Sequence, residues 1–172
     1  YSTLLKRWFM AIHALGIDSI HGTIIADDEI FDYDLIPGGW AWEDVEMSYG
    51  APPSGLSFRD NLYDIQVRIT KNGIQAKTDP FVPGLLTKNS IIYNPKIYNS
   101  YVFAAGPPFI SERLLRGEIK YARTYKAPIP DPAYFCAYSL YSYLKKNGIN
   151  VSDSASTTRK TKIKNTYSNP ER

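Results

Sequence analysis

Cysteine is nearly absent from this chain. Cys136 is the single one in 172 residues, which excludes an internal disulfide framework and any cysteine-based zinc site. Histidine is scarce as well, and His13 and His21 leave little for metal binding or a histidine-centred triad. Apolar runs extend only a few residues, far short of the roughly 20 that a membrane-spanning helix needs. Phosphate-binding glycine loops, dinucleotide fingerprints, G-x-S-x-G and H-E-x-x-H are all missing. No cofactor and no metal site are expected.

What is present fits one ordinary domain, or one domain with a small insertion. Hydrophobic residues make up 44% and aromatics 14%, including 14 Tyr, enough bulk for a dense core. The net charge of +3 hides an asymmetry. Residues 18–64 hold eleven acids against one base, Arg59, whereas 65–151 hold twelve bases against four acids. Two parts that attract each other explain this most simply, and an acidic surface receiving a cationic ligand is the functional alternative. Nucleic acid is not expected as a partner, because the basic residues are scattered.

Leu4, Leu5, Trp8, Phe9, Ile12 and Leu15 share one helical face, and Gly16 is placed to stop that helix. Ile20 to Ala26 is β-branched and reads as a strand. Pro37-Gly38-Gly39 ends a loop, and Trp40 to Tyr49 has room for a short helix. Ile65, Val67 and Ile69 alternate with polar residues, and Asn72-Gly73 is a hairpin signal. Further strands are expected near 89–94, 100–105 and 115–124. Asp131-Pro132 begins a second helix as N-cap and N1, closed by Gly148 before a strand at 149–151. From Ser152 the chain is polar and is expected to be loosely held. Both helices are followed by Gly-Ile and a strand, a similarity that two helix-to-strand joints often share.

Candidate chemistry is thin. Ser142 and Lys145 fit S-x-x-K, in which one helical turn brings a lysine near a serine nucleophile. No S-x-N accompanies them, and Lys160-Thr161 is followed by Lys162 rather than Gly, so the match reads as chance. Asp27, Asp28, Glu29, Asp32 and Asp34 fit no EF-hand spacing and read as a solvated acidic turn. Cys136, inside a helix, reads as a buried thiol.

The stretch from Asp27 to Asn61 carries more. A Gly16-Ile17…Ile20-x-Gly22 joint leads into Asp27 or Asp28 and Phe31. Gly39-Trp40-x-Trp42-x-Asp44 follows, then Tyr49-Gly50-Ala51-Pro52 and Asn61. Later come Tyr121-x-Arg123 and Asp131-Pro132-Ala133-Tyr134 before the second helix. In this order the chain resembles the serine-type D-alanyl-D-alanine carboxypeptidase/endopeptidase family, the class C low-molecular-mass penicillin-binding proteins (peptidase family S13). The resemblance covers roughly 4–65 and 117–151.

The resemblance implies that the chain is the insertion region between the S-x-x-K and S-x-N motifs of such an enzyme. The catalytic residues would then lie outside it. The opening at Tyr1 and the ending at Arg172 agree with a piece of a longer protein. It also implies an α+β fold: a mixed sheet packed by two main helices, with a small β-rich subdomain inserted. The expected organisation is 1–65 plus 122–152, an inserted 66–121, and a polar basic tail, 153–172. Asp44 and Tyr49 fall at the family's positions for a subsite that receives the diamino acid of a peptidoglycan stem peptide. That partner implies a periplasmic or extracytoplasmic setting. Without the resemblance, Asp44 would be a helix first-turn acid and Tyr49 a core residue. A stand-alone cell-wall carbohydrate- or peptide-binding module, and a small hydrolase using paired carboxylates, are the rival readings.

Overall fold

Helix α1 (Ser2–Ala14) and helix α2 (Pro132–Lys146) form where apolar periodicity and stop signals place them. Both end at a glycine with positive φ, Gly16 at 72° and Gly148 at 92°, a backbone state in which a side chain would be strained. The computed structural model describes residues 2–31 and 33–168, with side chains up to 163. Its contacts divide it into two compact units. The first takes the chain up to Tyr33, Ser54–Phe58, and the chain from Pro132 onward; the second takes Asp34–Pro53 and Arg59–Asp131.

In the first unit, strands β1 (Ser19–Ile20) and β2 (Ile24–Ala26) run parallel to β9 (Asn150–Val151) and β10 (Ala155–Thr157). Each residue meets the one 131 positions further on, Ser19 with Asn150 and Ile24 with Ala155. The two similar helix-to-strand joints therefore lie side by side in register. The expected strand 20–26 is interrupted at Gly22, whose φ is 140°. Ala26, Ala133, Ala137 and Ala155 form a small-residue cluster that lets α2 lie close on β2 and β10. Leu144, Ile149 and Val151 make a second cluster, against Phe9, Ile12 and Ile20. Phe58 packs between Trp8 and Phe135, with ring centroids 6.5 and 5.8 Å away.

The expected loose tail is corrected here. Residues 155–157 are β10, and Thr158–Ser168 continue as helix α3. Ala155 and Thr157 are buried, and their contribution was masked by the surrounding charged and polar residues. Residues 169–172 lie outside the described residues.

The second unit is built from strands. β3 (Leu62–Thr70) is the middle of an antiparallel sheet ordered β4-β3-β8, with β4 at Gly73–Asp79 and β8 at Arg123–Pro128. β7 (Glu112–Ile119) is the middle of a second sheet, parallel to β5 (Leu86–Tyr93) and antiparallel to β6 (Tyr101–Ala105). Thr70 pairs with Gly73, so Lys71-Asn72 form the turn and Gly73, at φ 108°, starts β4, one residue earlier than the hairpin signal suggested. The run expected as one strand near 115–124 is two, β7 and β8, which belong to different sheets. Leu62 to Ile65 pair with β8 as part of β3, and residues 34–53 also group with this unit. Mixed helices and sheets in these proportions make the fold α+β.

Candidate functional site

Residues 40–50 do not form the short helix that their sequence allows. They make two single 3-10 turns, Asp44–Glu46 and Ser48–Gly50, separated by an extended Met47 (φ −89°, ψ 155°). A segment this short gains little from α-helical propagation. Local bonds compete with it as well. The Ala41 N–H donates to the Asp44 carboxylate at 3.2 Å, while the Met47 N–H closes a tight turn on the Asp44 carbonyl at 3.1 Å.

The result brings Asp44 and Tyr49 together. The Tyr49 hydroxyl donates to Asp44 Oδ1 at 2.8 Å, and Ala41 N–H occupies Oδ2. A carboxylate offers about four lone-pair sites, so acceptor capacity remains for a ligand. Asp44 is half-buried and Tyr49 is 71% exposed, so Tyr49 is not a core residue. The hydrogen bond to the Asp44 carboxylate holds the Tyr49 phenol above its ordinary pKa, with the negative charges of Asp44 and Glu43 adding to it. Trp40 and Trp42 precede the pair in sequence, and both are exposed. An oriented carboxylate beside an exposed phenol ring is an arrangement chemically able to accept a cation.

Three supports of this site have roles that the sequence alone does not assign. Gly50 lies so close to the Asp44 carbonyl that a Cβ there would sit 1.8 Å from its oxygen. Only glycine lets the second turn fold back to deliver Tyr49. Asn61, in a left-handed run with Arg59 and Asp60, donates its side-chain amide to the Pro52 carbonyl at 3.1 Å and fastens the segment's far end. Glu46, 2% exposed, pairs with Arg116 at 2.9 Å across 70 residues of sequence. Gly50 and Asn61 stood within the quoted pattern, but only the three-dimensional contacts give them a task.

The other candidates fall into structural roles. Lys145 Nζ donates to the Tyr141 hydroxyl at 3.2 Å and lies 5.2 Å from that ring's centroid, engaged away from Ser142. Cys136 is buried and burial pushes its thiol up to about 11. In the acidic turn, Asp27 accepts the Glu29 N–H, Glu29 pairs with Lys162 at 2.5 Å, and Asp28 is buried beside Tyr33 and Thr158; Asp32 lies outside the described residues. Among the described residues no three His, Cys, Asp or Glu side chains cluster as a metal site. No described helix is long and apolar enough to cross a membrane.

Comparison with known proteins bears on the same segment. Penicillin binding protein 4 (dacB) from Haemophilus influenzae superposes with a TM-score of 0.70 at 14% identity, over 91% of this chain and 35% of that one. The same protein in complex with a novel β-lactam gives 0.58 at 10% identity, over 90% and 33%. At such identities the likeness is one of fold, and the chain spans about a third of the length of the solved proteins it matches. No curated protein sequence matches it significantly. Residues 4–102, which include the whole Asp44–Tyr49 segment, match the D-Ala-D-Ala carboxypeptidase 3 (S13) family, and the chain belongs to that family.

Proposed function

We propose that this chain is the non-catalytic insertion region of a serine-type, penicillin-binding D-alanyl-D-alanine carboxypeptidase/endopeptidase, and that it shapes the substrate subsite. Asp44 and Tyr49 receive the free amino and carboxylate end of the diamino acid in a peptidoglycan stem peptide. The acyl-enzyme chemistry belongs to a serine and lysines elsewhere in the parent enzyme. That substrate lies outside the cytoplasm, and the enzyme works there.

The observation that carries this reading is the Asp44 carboxylate, oriented by Tyr49 and Ala41 at 2.8 and 3.2 Å with acceptor capacity left over. An ammonium on that carboxylate makes a charge-assisted hydrogen bond, and hydrogen bonds to charged groups contribute about 1.5–3 kcal/mol. The exposed ring of Tyr49 covers the aliphatic stem of the same ligand and removes water from the ion pair. Pre-orientation lowers the ordering cost of binding, because Asp44 is already held before the ligand arrives.

The test is Asp44→Ala in the full-length enzyme. The expected result is a fall in kcat/KM of about tenfold to a hundredfold on a diaminopimelate-bearing peptide, the worth of one such bond. Penicillin acylation should stay nearly unchanged, because the drug lacks the ammonium. Equal losses on both substrates, or none on either, would reject the role.

A further inference from the structure

Asp44, Val45 and Glu46 form one 3-10 turn, in which successive side chains point about 120° apart. Val45 is 5% exposed and Glu46 is 2% exposed, so two of the three directions are anchored inward. The third direction is that of Asp44, the half-buried carboxylate at the surface. The direction of Asp44 is therefore set by what holds its two neighbours.

Val45 is held by packing, which tolerates rotation and sliding. Glu46 is held by a directional contact, its Oε2 accepting from Arg116 Nη2 at 2.9 Å. Arg116 lies at the middle of β7, between Ser90 on β5 and Phe103 on β6. Its guanidinium also sits over the Phe103 ring, 4.8 Å from the centroid. The turn is thus tied to the most interior strand of its sheet by a charge that is itself clamped from one side.

We propose that Arg116, through Glu46, is a positioning residue for the Asp44–Tyr49 site and so sets that site's affinity for an ammonium ligand. The ligand clause rests on the subsite reading above; the positioning clause does not. Without the pair, Glu46 has to leave its buried place, the turn rotates, and Asp44 loses its alignment with Tyr49 Oη and Ala41 N–H. Small misplacements of an oriented charge cost affinity steeply.

The experiment uses the 172-residue chain with labelled tyrosine, followed by NMR. Arg116→Met keeps an unbranched apolar side chain beside Phe103 and removes the charge. The titration midpoint of Tyr49 is expected to fall toward that in Asp44→Asn, and the Ala41 amide is expected to lose its exchange protection. Arg116→Lys should recover part of both. Binding of free meso-diaminopimelate should weaken about tenfold in Arg116→Met, equivalent to about 1.4 kcal/mol. If Arg116→Met does not fold, Glu46→Gln, which leaves no buried charge unpaired, decides by the same readings. An unchanged Tyr49 midpoint and Ala41 amide in a folded variant would overturn the proposal. Diaminopimelate binding that survives Asp44→Ala would instead reject the subsite reading, leaving the tyrosine and amide readings to decide the positioning role.

Discussion

At position 50 a methyl group would meet the Asp44 carbonyl oxygen at 1.8 Å and its carbon at 2.7 Å, so backbone has to move to admit it. Gly38, in the same segment, has nothing within 4 Å of the corresponding point. The two glycines therefore separate a loop's general need for flexibility from a specific close approach. Gly50→Ala is expected to cost about 1–3 kcal/mol, the range for forced overpacking. It should also bring the Tyr49 titration down toward the ordinary tyrosine value, as the hydrogen bond to Asp44 opens. Gly38→Ala should change stability by less than about 0.5 kcal/mol, as surface substitutions usually do. Urea unfolding together with tyrosine titration checks both. Equal effects at the two positions would show that the contact with Asp44 is not what glycine 50 provides.

Among the elements, β3 shows how a strand's position governs the chemistry of one side chain. It is paired on both edges, and Tyr63, Ile65 and Val67 form its fully buried face. The Tyr63 hydroxyl has no hydrogen-bond partner, and burial pushes its phenol up to about 12, against a smaller opposing pull from Arg113. The folded-state pKa lies above the unfolded value near 10. The associated stability is thus intact below pH 10 and is lost as pH rises through 12. At 1.36 kcal/mol per unit, that is a loss of about 2–3 kcal/mol. Tyr63→Phe removes both the titration and an unsatisfied buried hydroxyl. It should be neutral or stabilising near pH 8 by about 1 kcal/mol, and should decline less between pH 10 and 12. Denaturant unfolding at the two pH values measures this; some decline should persist, because the Cys136 thiol shifts in the same direction.

Elements such as α2 were legible because their signals are local. Asp131-Pro132 and Gly148 bracket the helix within its own sequence. β10 was not legible: its partner β2 is 131 residues away, and three residues surrounded by polar neighbours have too little alternation to register. The site divides in the same way. Asp44 and Tyr49, five positions apart, could be named from a pattern that orders them. The pairing of Glu46 with Arg116 spans 70 residues, and nothing in either local sequence points to the other. The 3-10 geometry was missed because aromatic and acidic residues at 40–49 are compatible with a helix, whereas the Asp44 side chain bonds the backbone instead.

For the molecule as a whole, the charge asymmetry is partly consumed inside the second unit. Glu46, buried and from the acidic part of the sequence, meets the exposed Arg116, from the basic part, in one part-buried contact. The two come from oppositely charged stretches of sequence but lie in the same unit, while Asp44 keeps a half-buried carboxylate at the surface. Reactivity should follow the same division between structural and accessible groups. A serine acylated by a β-lactam needs a base within hydrogen-bond reach and donors for the oxyanion. Ser142 has the S-x-x-K spacing, but the Lys145 amine is committed to the hydroxyl and ring of Tyr141. Incubation of the chain with benzylpenicillin is therefore expected to leave its intact mass unchanged. A penicilloyl adduct mapped to Ser142 would reverse this, because it would mean that the lysine leaves Tyr141 to serve as a base and that the chain carries acylation chemistry of its own.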